Sequence, residues 1–225
     1  MMSRRAILVL AAVLTASSGC YGVLYPGERK RLNQCGEILA RLERAAQTLP
    51  ATVPGLGLHA AKLRSGKYHP HGGIDVCYYA GLAPNGWTHS EEPFGADGSG
   101  DSTQIWTSPA SDRGGASLRY TLTGGRGPER LADYIERVEL APVRLRGDLH
   151  RASRGRTTNS REHRHLIVNR EHGAVHLRML RWRAEVEDNW YLRCEAVLTG
   201  EYEASVTLFE AICDALSVRH WDYSW

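Results

Sequence analysis

His163-Arg-His-Leu-Ile-Val-Asn-Arg-Glu-His-Gly-Ala-Val-His-Leu-Arg-Met-Leu-Arg-Trp-Arg183 has two runs rich in bulky and β-branched residues around His172-Gly173. Side chains of a strand alternate between two faces, so a turn at His172-Gly173 predicts a hairpin of strands 163–170 and 174–183. Leu166 and Val168 then share a face with Val175, Leu177 and Met179. The opposite face carries His163, His165 and Asn169 beside His176, Arg178 and Trp182. One apolar face and one polar face is the signature of half-buried antiparallel sheet.

The same alternation recurs outward from this hairpin. Ala116, Leu118, Tyr120 and Leu122 alternate with Ser117, Arg119, Thr121 and Thr123, predicting a strand over 116–123 paired with 104–108. Residues 57–64 and 74–80 read as a further strand pair. Over 142–150, Val143, Leu145 and Leu149 alternate with Arg144, Arg146, Asp148 and His150. A last strand over 190–198 sets Leu192, Cys194, Ala196 and Leu198 on one side.

Helical spacing appears three times. Residues 28–49 repeat Leu32, Cys35, Leu39, Leu42, Ala46 and Leu49 at intervals of three and four. Pro128 opens a helix to about Leu140 that buries Leu131, Ile135 and Val138. Residues 201–217 carry a stripe of Tyr202, Val206, Phe209, Cys213 and Leu216. Residues 82–103 and 151–162 are polar and read as loops. The class is α+β: a mostly antiparallel sheet covered by helices on one side. The order of elements reads as two ββββα units after an N-terminal helix. One globular domain over 28–225 follows, with a division into lobes 28–140 and 141–225 left open.

The chain begins Met-Met-Ser-Arg4-Arg5, then about eleven apolar residues, then Ser17-Ser-Gly-Cys20. Basic, apolar and small-residue regions in that order make an export signal, and the apolar run is too short to span a bilayer. Ser17-Ser-Gly-Cys20 resembles the lipobox of bacterial lipoproteins, with Ser17 where a leucine or similar residue is usual. The resemblance covers only these first residues. It implies a signal peptide over 1–19, lipidation at Cys20 and a tether over 20–27. Tyr21, in place of an inner-membrane retention Asp, points to the outer membrane. The tether reaches about 25 Å when extended, holding the domain near the membrane on its periplasmic side.

Cys35, Cys77, Cys194 and Cys213 remain, an even number in an oxidising compartment. Cys194 on the inward side of a strand and Cys213 on a helix's apolar stripe predict one disulfide. Cys35–Cys77 follows by elimination.

Residues 144–183 hold eleven arginines against Asp148, Glu162 and Glu171. Within this segment Arg151, Arg154, Arg156, Arg161 and Arg164 have almost no apolar neighbours, which predicts an exposed surface for an anionic partner, either an acidic protein or an anionic lipid or other envelope component. Nucleic acid is not expected in this compartment.

Catalytic signatures are sparse. Gly55-Leu-Gly57-Leu-His-Ala60 lacks the strand before and helix after that a dinucleotide fingerprint needs. Gly124-Gly-Arg-Gly127, ahead of a helix, reads as a turn more than as an anion cradle. Asp97, Ser99 and Asp101 begin like a calcium loop without its later ligands. There is no G-x-S-x-G, no HExxH and no CxxC. The reading is a non-enzymatic partner-binding envelope lipoprotein, of assembly or toxin-immunity type, with no cofactor. Its alternative is an envelope hydrolase or metal-dependent enzyme in which His163, His165 and His176 supply the ligands.

Overall fold

From Pro26 the chain runs through helix α1 (Pro26–Thr48) and strands β1 (Leu58–Tyr68), β2 (Ile74–Pro84), β3 (Thr88–Glu92), β4 (Asp101–Thr107) and β5 (Ala116–Thr123). A helical rod follows: α2 (Pro128–Tyr134), a π-helical segment (Ile135–Leu140) and α3 (Ala141–Arg146). Strands β6 (Leu149–Thr157), β7 (Ser160–Glu171), β8 (Ala174–Ala184) and β9 (Asn189–Leu198) come next. A 3-10 turn (Gly200–Ser205), α4 (Val206–Asp214) and the short β10 (Ser217–Val218) are the last of the described elements. This computed structural model describes residues 26–49, 56–68, 74–92, 101–123, 127–157, 160–185 and 189–218.

The strands form two antiparallel sheets, one ordered β1-β2-β10 and the other β3-β4-β5-β9-β8-β7-β6. The class is α+β, with a large antiparallel sheet and helices packed on it. The strands are grouped as three and seven, not as two sets of four. The lobes considered on either side of residue 140 share the seven-stranded sheet, because β5 pairs with β9.

Each face of that sheet has its own core. On one, Leu118, Tyr120, Leu177, Met179, Leu192 and Ala196 pack with Phe209 and Ile212 of α4 and with Leu63 and Leu82 of the smaller sheet. Tyr120 OH donates to the Leu82 carbonyl at 2.7 Å, and Gln104 Nε2 donates to the Leu63 carbonyl at 2.6 Å, so polar bonds also join the sheets. On the other face Leu131, Ile135, Leu140 and Val143 cover Ile167, Leu180, Trp182 and Tyr191. Helices therefore lie on both faces, where one-sided cover was expected. The apolar residues of 163–183 point both ways, and Ile167 and Leu180 need a cover of their own.

The hairpin around His172-Gly173 has the predicted register, with Glu171 opposite Ala174, Val168 opposite Leu177 and Leu166 opposite Met179. Its two turn residues sit at φ 51° and 76°, the left-handed pair that a tight hairpin requires. The disulfides Cys35–Cys77 and Cys194–Cys213 join α1 to β2 and β9 to α4, with Cα atoms 5.1 and 5.6 Å apart. Both pairings are those predicted.

Other expectations are corrected. Residues 151–162, read as a loop, lie mostly in β6 and β7, paired from Leu149–Val168 to Thr157–Ser160. Residues 142–146, read as strand, are helical, and the helix ends at Gly147 with φ 72°. Leu145 is accordingly 89% exposed while Val143 is buried. Val138 is also exposed, because the wider π turn rotates Glu139 and Leu140 inward in its place. The expected loop 82–103 contains the end of β2 and all of β3. The last helix begins as a 3-10 turn, which leaves Tyr202 and Val206 half-buried and brings Leu208 and Ile212 into the core.

Candidate functional site

Between the helical rod and strands β6–β8 lies an open cleft of about 760 Å³. Ala132, Glu136, Leu140 and Arg144, four apart along the rod, form one wall. Ala152 and Ser153 of β6 form the other, and His163, His165 and Trp182 the floor. Glu136 and Arg144 form an ion pair along the rod. This volume is in the range of small-molecule sites, and small alanines keep the walls apart.

The floor is a ladder of flat rings. Trp182 stacks with His163 at 4.9 Å and with His165 at 4.8 Å between centroids. His165 Nδ1 lies 2.7 Å from His150 Nε2, with ring centroids 5.0 Å apart and planes within 16°. Nitrogens so close with centres so far apart set the rings edge to edge, which is an in-line hydrogen bond and not a face-to-face stack. Burial, then the neighbouring His150, His163 and Arg144, lower the His165 pKa to about 4. His165 is thus neutral near pH 7, able to donate one hydrogen bond and accept another. The cleft offers a ligand a flat aromatic floor, neutral imidazole and a charged rim.

His163 and His165 fall on one face as expected, and His150 joins them because residues 149–157 are strand. His176 does not. It pairs with Asn169, six positions along β8 from Trp182, or about 20 Å at ~3.3 Å per residue. The three histidines proposed as a metal set therefore do not converge. Among the described residues no group of three His, Cys, Asp or Glu is placed to hold a metal ion.

Beneath the rod is a polar lattice that sequence reasoning missed. Glu139, 3% exposed, accepts from Tyr191 OH and from Arg193 Nη1, both at 3.0 Å, and lies 3.5 Å from Arg178 Nη1. Glu195 accepts from Arg178 Nε at 2.9 Å and sits 3.2 Å from Arg193 Nε. Burial and the Glu139 charge together push the Tyr191 hydroxyl pKa well up, so it stays a donor. The signal was indirect: a glutamate next to Leu140 becomes a buried ligand for arginine only once the π segment turns it inward.

The arginine segment divides. Arg151 pairs with Glu210 and Arg164 with Asp214, each at 2.8 Å, so both are tied to α4. Arg154, Arg156 and Arg161 lie in β6 and β7 by register, opposite His163, Arg161 and Arg156 respectively. The loop expected here is replaced by a paired hairpin. Cys20, Asp97, Ser99 and Gly124 lie outside the described residues, and Asp101 Oδ1 accepts from Thr123 Oγ1 at 2.6 Å. Gly57 leads into β1, so the glycine pattern over 55–60 is followed by strand. Among the described residues no helix is long and apolar enough to cross a membrane.

No family model matches this chain, and no curated protein matches it. Among solved structures it is similar to a crystal structure from Bacteroides thetaiotaomicron VPI-5482, at 14% identity over 66% of this chain and TM-score 0.34. The match covers 48% of that protein, so the chain spans about half its length. It is also similar to the solution structure of cyanobacterial PsbP (CyanoP) from Synechocystis sp. PCC 6803, at 16% identity, 63% of this chain, 87% of that one and TM-score 0.28.

Proposed function

We propose that this chain is a lipid-anchored protein of the bacterial cell envelope, facing the periplasm and held at the outer membrane through Cys20. It acts by binding a partner, and the cleft under the helical rod is where the partner's recognised group sits. The observation that carries the reading is the pair of disulfides in a chain that opens with an export-type segment. Disulfides persist in oxidising compartments, and both of these join a helix to a strand, Cys194–Cys213 within the main core. The metal set of the alternative reading is pulled apart, since His176 lies about 20 Å along β8 from Trp182 and the cleft. An envelope-assembly factor and a toxin-neutralising immunity protein both fit this description.

Replacing Cys20 by Ala should abolish fatty-acid labelling and move the protein to the soluble fraction. Labelling that persists in the variant sinks the anchor. Binding is tested by affinity capture from solubilised envelopes with the lipidated protein, comparing wild type with Ala152→Trp, which fills the cleft. A partner retained equally by both proteins places recognition elsewhere.

A further inference from the structure

The rod covers β7 and β8 but stops short of β5, and in the gap beyond its end lies a second hollow of about 230 Å³. Its polar lining is Ser117, Arg119, Arg146, Asn169, His176 and Arg178, together with the Glu195 carboxylate. All of these but Glu195 can donate a hydrogen bond. The carboxylates around them are already occupied. Glu195 uses Oε1 on Arg178 and Oε2 on Arg193, and Glu139 is shared by Arg193, Tyr191 and Arg178. Arg146 is held by Asp148 at 2.9 Å.

Arg119 is left over. It sits directly across from Glu195 in the β5–β9 pairing, yet among the described residues no carboxylate lies within ion-pair distance of it. Arg178 is held by Nε and Nη1, which leaves its Nη2 group unused. Four guanidiniums, Arg119, Arg146, Arg178 and Arg193, thus stand against three carboxylates, Glu139, Glu195 and Asp148. A half-buried arginine held by two glutamates is preorganised, so little side-chain entropy remains to be lost when its free Nη2 group is bound.

We infer that this hollow binds a small oxyanion, a phosphate or carboxylate group, through Arg119 and the free Nη2 group of Arg178, with His176, Asn169 and Ser117 completing the donors. Its volume admits one such group and not a polymer. The site is distinct from Arg151 and Arg164, whose charges are answered by α4 on the opposite face of the sheet. It stands whether or not Cys20 carries lipid.

The test is a titration of the whole protein with inorganic phosphate and, separately, with malonate, followed by ¹H–¹⁵N NMR. Saturable shifts should centre on Arg119, Asn169 and His176, and the anion that saturates identifies the group recognised. Arg119→Gln, at an exposed position, should stay folded and lose roughly tenfold or more in affinity, the scale of one lost hydrogen bond to a charge. Arg119→Lys should lie between, and Arg151→Gln should match wild type. The inference is overturned if neither anion saturates, if Arg119→Gln binds as wild type does, or if the shifts centre on Arg151 and Arg164.

Discussion

Replacing Glu139 by Ala would take from Arg178 and Arg193 one of the two carboxylates that hold them, Glu195 remaining, and would leave the Tyr191 hydroxyl under the rod without its acceptor. Leaving a buried hydroxyl without its acceptor costs about 1–3 kcal/mol, and because Glu195 still answers both guanidiniums the loss should stay below the roughly 3–5 kcal/mol of a wholly broken buried ion pair. Glu139→Gln should cost less, since it keeps an acceptor for Tyr191. Urea unfolding of both variants measures this, and an Ala variant with the wild-type midpoint would show that water already reaches the lattice. His165 gives a pH signature. Its folded pKa, near 4, lies below the ordinary histidine value. Between about pH 6.5 and pH 4 the unfolded chain therefore binds more protons at this residue, and stability falls as pH drops through that window. His165→Gln should make the decline in urea midpoint shallower across the window. An unchanged slope would mean that other groups carry all of it.

At the level of elements, the β7–β8 hairpin was legible because its apolar and polar residues alternate and its turn is a two-residue step. The extension into β6 was not. Residues 151–162 have almost no apolar side chains, so periodicity is silent there, while backbone hydrogen bonding to the neighbouring strand needs none. The rod misled for a related reason. Regular α spacing from Leu131 and Ile135 selects Val138, and only the π segment brings Glu139 and Leu140 inward. Close backbone crossings are equally invisible in sequence. Gly200 sits at φ 59°, and a Cβ there would come 2.0 Å from the Arg113 carbonyl oxygen. Gly200→Ala should thus destabilise by roughly 1–3 kcal/mol through strain alone, with more if the loop must move. A thermal melt coincident with wild type would show that the 113–114 and 199–200 segments can part at no cost.

Across the whole molecule, two covalent links hold the core from two sides. In the chain-entropy account, closing the 19-residue separation of Cys194–Cys213 stabilises by about 3 kcal/mol and the 42-residue separation of Cys35–Cys77 by about 4 kcal/mol. Double serine replacement of either pair should lower the denaturant midpoint, and the two losses should nearly add because the pairs share no partner. A Cys194→Ser/Cys213→Ser protein as stable as wild type would mean that α4 is held by packing alone. Cys194 and Cys213 could be paired from sequence because each sits on an apolar stripe whose inward direction is a local property, and Cys35–Cys77 then followed by elimination. So could the faces of β5, β7, β8 and β9, and with them His163, His165 and Trp182 on the cleft floor. Which strands become neighbours was decided only in the tertiary structure. The order β3-β4-β5-β9-β8-β7-β6 sets β5 beside a strand more than sixty residues away, with Arg119 opposite Glu195. Alternation says which way a side chain points but not what it meets. The rod wall of the cleft, the hold on Arg178 and the Arg119 charge that no carboxylate among the described residues answers arise where distant segments pack, and long-range packing has no period along the chain.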